Sequence, residues 1–107
     1  MDVVVKDSNI EGKGVFANKD FKKGEVVLRW NISHRLTIDD VNKISDKEKR
    51  YVNFHKGVYL FMQIPERYVN HSCEANTYIK DFCDIAKKDI KEEEEILSNY
   101  EEDNIPG

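Results

Sequence analysis

The segment of residues 67–76 holds the densest group of polar, chemically versatile side chains in this sequence. It reads RYVNHSCEAN, so that Asn70 and His71 are followed within five positions by Ser, Cys and a second Asn. Asn and Ser side chains hydrogen-bond readily to nearby backbone groups and so compete with regular helices and strands. We therefore expect an irregular, buried backbone here. Its side chains would either hydrogen-bond to backbone groups where the chain crosses itself or contact a ligand.

Two shorter motifs stand near the ends of the chain. Gly12, Lys13 and Gly14 place two glycines around one residue, which is most often a simple turn, and the third glycine and the helix of a dinucleotide-binding loop are missing. Residues 94–100 read EEILSNY and end in Tyr100, at a predicted strand end where a tyrosine usually serves as an amphipathic packing residue. Each motif alone is weak evidence, whereas their order along one chain is informative.

In this order the three motifs resemble the signature of SET-domain protein-lysine methyltransferases, and together they span nearly the whole chain. The resemblance implies a mainly β (α+β) fold, made of β-clip-like short sheets with a C-terminal pseudoknot and one or two short helices. It also implies a single SET domain over residues 1–107, in the compact form that lacks the zinc-binding pre-SET and post-SET regions.

The resemblance further implies a site for S-adenosylmethionine, with S-adenosylhomocysteine as the product. The glycine loop would lie against the methionine part, where glycine lets the backbone approach a ligand closely. The Asn side chain of the second motif would contact the amino-acid end, and the following His backbone would contact adenine. The cofactor-binding positions are then Gly12, Lys13, Gly14, Asn70 and His71.

Tyr100 closes the third motif and is the catalytic residue that the resemblance implies. Tyr51, Tyr59 and Tyr68 are candidates to line a channel for the substrate lysine, with Tyr51 preferred. Free lysine has a pKa near 10.4, and a narrow aromatic channel beside a positive sulfonium would favour the neutral amine that methyl transfer needs. A tyrosine hydroxyl and backbone carbonyls could then hold that amine in line.

The implied function is methyl transfer to a lysine of a protein or peptide, with a histone as one candidate substrate. Two alternatives stay open: a catalytically inactive SET-like interaction module, and an unrelated small β-clip binding domain. Cofactor binding separates the enzyme from the unrelated domain, and turnover separates it from the inactive module. The acidic runs at residues 92–95 and 101–103 fit either a solvated surface or a guide for lysine-rich peptides.

Composition limits the remaining classes. The 107 residues, 39% hydrophobic and 36% charged, suit one domain with a modest core. A net charge of −4 gives no basic footprint for direct nucleic-acid binding. The apolar runs are too short to cross a bilayer, and no signal-peptide pattern opens the chain, so we predict no membrane partner and a cytoplasmic or nuclear location. A homodimer is the expected way for so small a domain to cover apolar surface.

Cysteine and histidine usage predicts no metal site. Cys73 and Cys83 are too few for a cysteine zinc centre, and the three histidines are scattered. We expect two free thiols rather than a disulfide, because the predicted compartment is reducing. Cys73 is expected to be a small core residue.

The elements that must position these residues are mostly short strands. Alternating β-branched and aromatic residues between turn residues predict strands at residues 3–6, 15–17, 25–30, 58–61, 77–80, 83–86 and 95–98. One or two short helices are predicted between Thr37 and Phe54, because Thr37 and Ser45 can cap helices. Residues 17–27 also align with residues 86–96, which predicts two similar turns with Gly24 in one and Glu93 in the other.

Overall fold

The computed structural model describes residues 2–99. The strands are β1 (Val3–Asp7), β2 (Lys13–Ala17), β3 (Val26–Arg29), β4 (Arg35–Leu36), β5 (Val52–His55), β6 (Val58–Phe61), β7 (Asn70–His71), β8 (Thr77–Lys80), β9 (Cys83–Ala86) and β10 (Glu95–Ser98). The helices are α1 (Ile38–Lys43) and α2 (Asp46–Lys49), and a 3₁₀ turn covers Glu66–Tyr68. The predicted mainly β fold with two short helices is confirmed, and all seven predicted strands are present.

Two sheets contain these strands. The larger has the order β1-β2-β10-β8-β9-β3, with β7 pairing on β10, and the smaller has the order β4-β6-β5. Strand β10 therefore lies between β2 on one side and β7 and β8 on the other. The last strand thus joins the start of the chain to the segment of residues 70–80.

The β5–β6 hairpin differs from prediction, because β5 occupies residues that the sequence assigns to the helical region. Lys56 and Gly57 form its two-residue turn with φ of +52° and +77°. Consecutive positive φ values match the twist of the flanking strands and favour a tight hairpin. His55 then pairs with Val58, and Phe54 with Tyr59. The lysine in the first turn position gave no sequence signal for this conformation.

The apolar core forms two clusters. Val15 on β2 and Ile96 on β10 are direct partners across the larger sheet, and both are fully buried. Their burial contributes roughly 1.5–3 kcal/mol each to stability. The second cluster lies between the sheets and consists of the buried residues Trp30, Leu60 and Met62. Strand β10 is thus fixed by the first cluster at its start and leads towards the second.

Capping, more than burial, defines the helices. The Thr37 hydroxyl accepts from the Asp40 backbone N–H at 3.1 Å, and the Asp40 carboxylate accepts from the Thr37 backbone N–H at 2.9 Å. The Ser45 hydroxyl accepts from the Glu48 backbone N–H in the same way, at 3.2 Å. No side chain of either helix is buried. The capping hydrogen bonds therefore define where each helix begins. Neither is long and apolar enough to cross a membrane, nor is any other helix in residues 2–99.

Candidate functional site

The three sequence motifs meet around β10. Glu95 and Ile96 pair with Phe16 and Val15 on β2, which carries the end of the glycine motif. On its other side β10 runs parallel to β7, where Leu97 pairs with Asn70. Segments that are far apart in the sequence are thereby brought to one place, and the side chains make contact there.

Asn70 joins all three motifs through its side-chain amide. Its Nδ2 donates to the backbone carbonyl of Lys13 at 3.0 Å, to that of Glu11 at 3.3 Å, and to Glu95 Oε2 at 2.9 Å. Among residues 2–99, no donor bonds to its Oδ1, so the amide oxygen can still accept a hydrogen bond from a ligand. Asn70 as a whole is half-buried.

Different features explain the two glycines of the first motif. Gly12 has a φ of +44°, and the space that a Cβ would take there is open, so its conformation explains the glycine. Gly14 has no such torsion, but a Cβ there would lie 2.5 Å from Glu95 Oε2. A larger residue at position 14 would therefore displace the Glu95 carboxylate from its present place.

Glu95 and Ser8 belong to this site although sequence reasoning did not select them. The Ser8 hydroxyl lies 2.8 and 3.0 Å from the two carboxylate oxygens of Glu95. Glu95 stands inside the EEILSNY motif, but as one of four consecutive glutamates it resembled a solvated turn. Only the folded chain places its carboxylate against Ser8, Gly14 and Asn70.

Lys13 and His71 are less deeply engaged. Lys13 Nζ pairs with Asp7 at 2.8 Å on the surface; this contact lowers the pKa of the Asp7 carboxyl and raises that of the Lys13 ammonium. An exposed pair of this kind adds little stability. His71 is half-buried in β7 and pairs with Ser98 of β10, so its backbone is fixed beside the site.

Asn76 fixes strand β10 at this crossing. Its Nδ2 donates to the Glu95 carbonyl and its Oδ1 accepts from the Leu97 N–H, both at 2.8 Å, and it is 5% exposed. Thr77 adds a hydroxyl bond to the Leu97 carbonyl at 2.8 Å. The expectation for Cys73 is wrong: it is exposed, because the turn after β7 faces outward, whereas Cys83 is buried. Both thiols are free.

A cavity of about 140 Å³ opens beside the end of β10. Its wall includes the aromatic rings of Trp30 and Tyr51 and two acidic side chains, Glu66 and Asp84. Trp30 Nε1 donates to Asp84 Oδ2 at 3.0 Å, and Glu66 Oε2 accepts from the Asn31 N–H at 2.6 Å. Both carboxylates are almost completely buried. Arg50 and Arg67 also line the cavity, so its wall combines aromatic rings with two carboxylates and two guanidinium groups.

The three tyrosines proposed for a channel lie in different places. Tyr51 lines the cavity, and the guanidinium groups of Arg67 and Arg50 lie over its ring at 4.5 and 5.3 Å. Tyr68 packs edge-on against Tyr51 with ring centroids 6.3 Å apart, behind the wall. Tyr59 stacks on Phe54 at 4.7 Å on the smaller sheet and is not among the lining residues.

The predicted catalytic residue, Tyr100, lies outside the described residues. Ser98, two positions earlier in the sequence, is buried and lines the cavity. In the part of the chain that the structure describes, no group of three or more His, Cys, Asp and Glu side chains could hold a metal ion.

Comparison with known proteins gives one consistent family. The family model of the SET domain matches residues 12–101. A candidate histone methyltransferase of Plasmodium falciparum has a TM-score of 0.69 at 20% identity, with 92% of each chain covered; at this identity it shows the fold alone.

Two structures of the Chaetomium thermophilum Polycomb Repressive Complex 2 are also similar. One, a humanized mutant bound to an inhibitor, has a TM-score of 0.76 at 25% identity. The other, autoinhibited and bound to S-adenosylmethionine, has a TM-score of 0.77 at 26% identity. Each covers 98% of this chain, which spans only 15% and 16% of the respective matched chains.

Proposed function

This chain belongs to the SET-domain family, and we propose from that membership that it is a protein-lysine methyltransferase dependent on S-adenosylmethionine. The observation that carries the proposal is the convergence of the Gly12–Lys13 turn, the Asn70 amide and strand β10 at one place. A second, separate feature supports it: an aromatic cavity with buried carboxylates lies at the end of the same strand. A cofactor site and a substrate site would therefore share β10.

The residues present fit the cofactor's amino-acid end. Asn70 offers an Oδ1 acceptor that no donor of residues 2–99 occupies, beside a turn whose glycine at position 12 leaves open space for a ligand. When bound, S-adenosylmethionine would supply an electrophilic methyl group on a positive sulfonium. The task of the protein is then to bind that group, to orient the attacking amine and to exclude water.

The cavity is the proposed binding site for the side chain of the substrate lysine. Trp30 and Tyr51 would enclose the alkyl stem, and the carboxylates of Asp84 and Glu66 would attract the ammonium as it enters. Arg50 and Arg67 also line the cavity, where they lie over the Tyr51 ring. Tyr100, by its place in the motif, is proposed to orient the amine. The amine must lose its proton to solvent before attack, and desolvation in the aromatic enclosure beside a positive sulfonium would favour the neutral form.

An open sheet edge would hold the peptide around that lysine. Within residues 2–99, β5 pairs only with β6, and Val52, Asn53 and Phe54 on β5 border the cavity. A peptide could add to this edge as a further strand, with backbone hydrogen bonds supplying affinity and the cavity selecting the side chain. Lysine would enter from this side, opposite the cofactor.

The proposal is tested in two stages. Calorimetry should detect binding of S-adenosylmethionine or S-adenosylhomocysteine, weakened in Asn70→Ala but not in Asn42→Ala, a surface change on α1. Incubation with labelled S-adenosylmethionine and lysine-rich proteins, histones included, should then give methyl-lysine by mass spectrometry. Cofactor binding without turnover on any substrate would favour the inactive interaction module, and no cofactor binding at millimolar concentration would reject the enzyme.

Two expectations accompany this proposal. A homodimer is proposed because the surface exposes large apolar side chains such as Phe54 and Ile64; a strict monomer by light scattering at high concentration would reject it. A cytoplasmic or nuclear location is proposed because protein substrates rich in lysine are reached there, and imaging of the tagged chain tests it.

A further inference from the structure

We propose that Glu95 is a positioning residue of the cofactor site, which fixes the side-chain amide of Asn70 with its oxygen towards the cofactor's ammonium group. The inference rests on the proposed function. It assigns a role to a residue that neither the motif comparison nor the cavity singles out. Glu95 would act through Asn70, without touching the cofactor.

The atoms around Asn70 Nδ2 determine the orientation of the side-chain amide. Three oxygen atoms lie around it: the carbonyls of Lys13 at 3.0 Å and Glu11 at 3.3 Å, and Glu95 Oε2 at 2.9 Å. An amide turned by 180° would direct Oδ1 at these three acceptors, so that oxygen would face oxygen and the Nδ2 hydrogens would lose these partners. The contact with Glu95 is the shortest of the three, and as a charge-assisted hydrogen bond it is the strongest.

Glu95 is itself held in place by Ser8, and the absence of a side chain at Gly14 leaves room for its carboxylate. The Ser8 hydroxyl bonds to both carboxylate oxygens, at 2.8 and 3.0 Å. Ser8 Oγ also accepts from the Ile10 backbone N–H at 3.0 Å, so its hydrogen is directed to Glu95. On the other side, Gly14 leaves the space that a Cβ would take, since such an atom would lie 2.5 Å from Glu95 Oε2.

The consequence concerns one part of the cofactor. An Asn70 Oδ1 held outward is a hydrogen-bond acceptor, and the ammonium of the amino-acid end is the matching donor. The adenosine part has no reason to depend on this contact. Glu95 should therefore affect ligands that carry the amino-acid end and spare ligands that lack it.

Two ligands separate these parts. S-adenosylhomocysteine carries the amino-acid end, and 5′-methylthioadenosine keeps the adenosine and the thioether without it. We would measure both dissociation constants by calorimetry for the wild type, Glu95→Ala, Glu95→Gln and Ser8→Ala. The matched control is Glu94→Ala, because Glu94 is an exposed neighbour whose carboxylate accepts only from the Lys91 N–H among its described contacts.

In Glu95→Ala, binding of S-adenosylhomocysteine should weaken about tenfold or more, the loss expected for one oriented, charge-assisted contact. Binding of 5′-methylthioadenosine should stay within about twofold. Glu95→Gln should restore most of the affinity, since its amide oxygen can still accept from Asn70, and Glu94→Ala should match the wild type. If Glu95→Ala does not fold, Ser8→Ala replaces it, with a smaller loss confined to S-adenosylhomocysteine.

Equal losses for both ligands would overturn the inference, because they would mean that Glu95 only supports the fold. Unchanged affinity for both ligands would overturn it as well. If the wild type binds neither ligand, the proposed function fails instead, so the two failures are distinguishable.

Discussion

Gly24 and Glu93 occupy equivalent positions in two copies of one turn, and both have a positive φ, +91° and +77° respectively. The Gly24 N–H donates to the Ala86 carbonyl at 2.8 Å, and the Glu93 N–H donates to the Ala17 carbonyl at 2.7 Å. Each copy therefore donates to the strand end of the other. The internal repeat seen in the sequence is thus an exchange of hydrogen bonds between two turns.

The centre of this exchange is the bridge between Phe21 and Ile90. Their backbones bond in both directions, at 2.7 and 2.8 Å, and both side chains are almost fully buried. The two turns also share a hydrogen bond from backbone to side chain. The Lys22 N–H donates to the Glu25 carboxylate at 2.6 Å, and the Lys91 N–H donates to the Glu94 carboxylate at 2.8 Å. The bridge between Phe21 and Ile90 joins the connection between β2 and β3 to the connection between β9 and β10.

The first prediction concerns the turn position that is Gly24 in one copy and Glu93 in the other. A side chain in the left-handed region costs roughly 1 kcal/mol, a cost that glycine avoids. Glu93→Gly should therefore raise the free energy of unfolding by up to about 1 kcal/mol, measured by urea denaturation, and leave methyl transfer nearly unchanged. The reciprocal control is Gly24→Ala, which should lower stability by a similar amount although the space for a Cβ is open. A stability loss in Glu93→Gly would contradict the strain argument.

The repeat also illustrates what could be predicted from sequence. The two turns were predictable because Ala, Lys, Asp and Glu recur at matching offsets, and strands such as β8 and β9 because turn residues bound β-forming residues. The site was only partly predictable. Glu95 contacts Ser8, which lies 87 residues away in the sequence, and Asn70, which lies 25 away. Such contacts depend on the sheet order and leave no local pattern.

The second prediction concerns the cap of α1. Hydrogen bonds from the Thr37 backbone and hydroxyl hold the pKa of the Asp40 carboxyl below its usual 3.8. Because the folded pKa is the lower one, this cap contributes its full stability above the unfolded value of about 3.8 and loses it as pH falls through the folded pKa. Asp40→Asn should remove that part of the pH dependence. Unfolding curves from about pH 6 to about pH 2 measure the difference, and parallel curves for both proteins would contradict it.

The third prediction concerns the cavity wall. Asp84→Asn keeps an acceptor for Trp30 Nε1 but removes a negative charge from the cavity. If the cavity binds a cationic lysine, the KM for a peptide substrate should rise about tenfold, roughly 1.4 kcal/mol, with a smaller change in kcat. The control is Asp81→Asn on the exposed turn between β8 and β9. An unchanged KM would mean that the Asp84 carboxylate serves only to satisfy the indole.

The last prediction concerns Tyr100, whose catalytic role follows from the motif that it closes. Tyr100→Phe deletes one hydroxyl and keeps the ring. If the hydroxyl orients the lysine amine, the loss should fall on turnover, by about 10² to 10³, or roughly 2–4 kcal/mol at the transition state. Stability should change by no more than about 1.5 kcal/mol, the net value of one hydrogen bond, and affinity for S-adenosylhomocysteine should be nearly constant.

A merely structural tyrosine would behave in the opposite way, because any loss of stability would leave the folded fraction fully active. Melting temperature, turnover per folded molecule and cofactor affinity are therefore measured on the same Tyr100→Phe preparation. Tyr78→Phe, a partly exposed tyrosine on β8 away from the cavity lining, is the matched control and should keep wild-type turnover. Wild-type turnover in Tyr100→Phe would assign this residue to the scaffold, and the search for the group that orients the amine would then move to Tyr51 in the cavity wall.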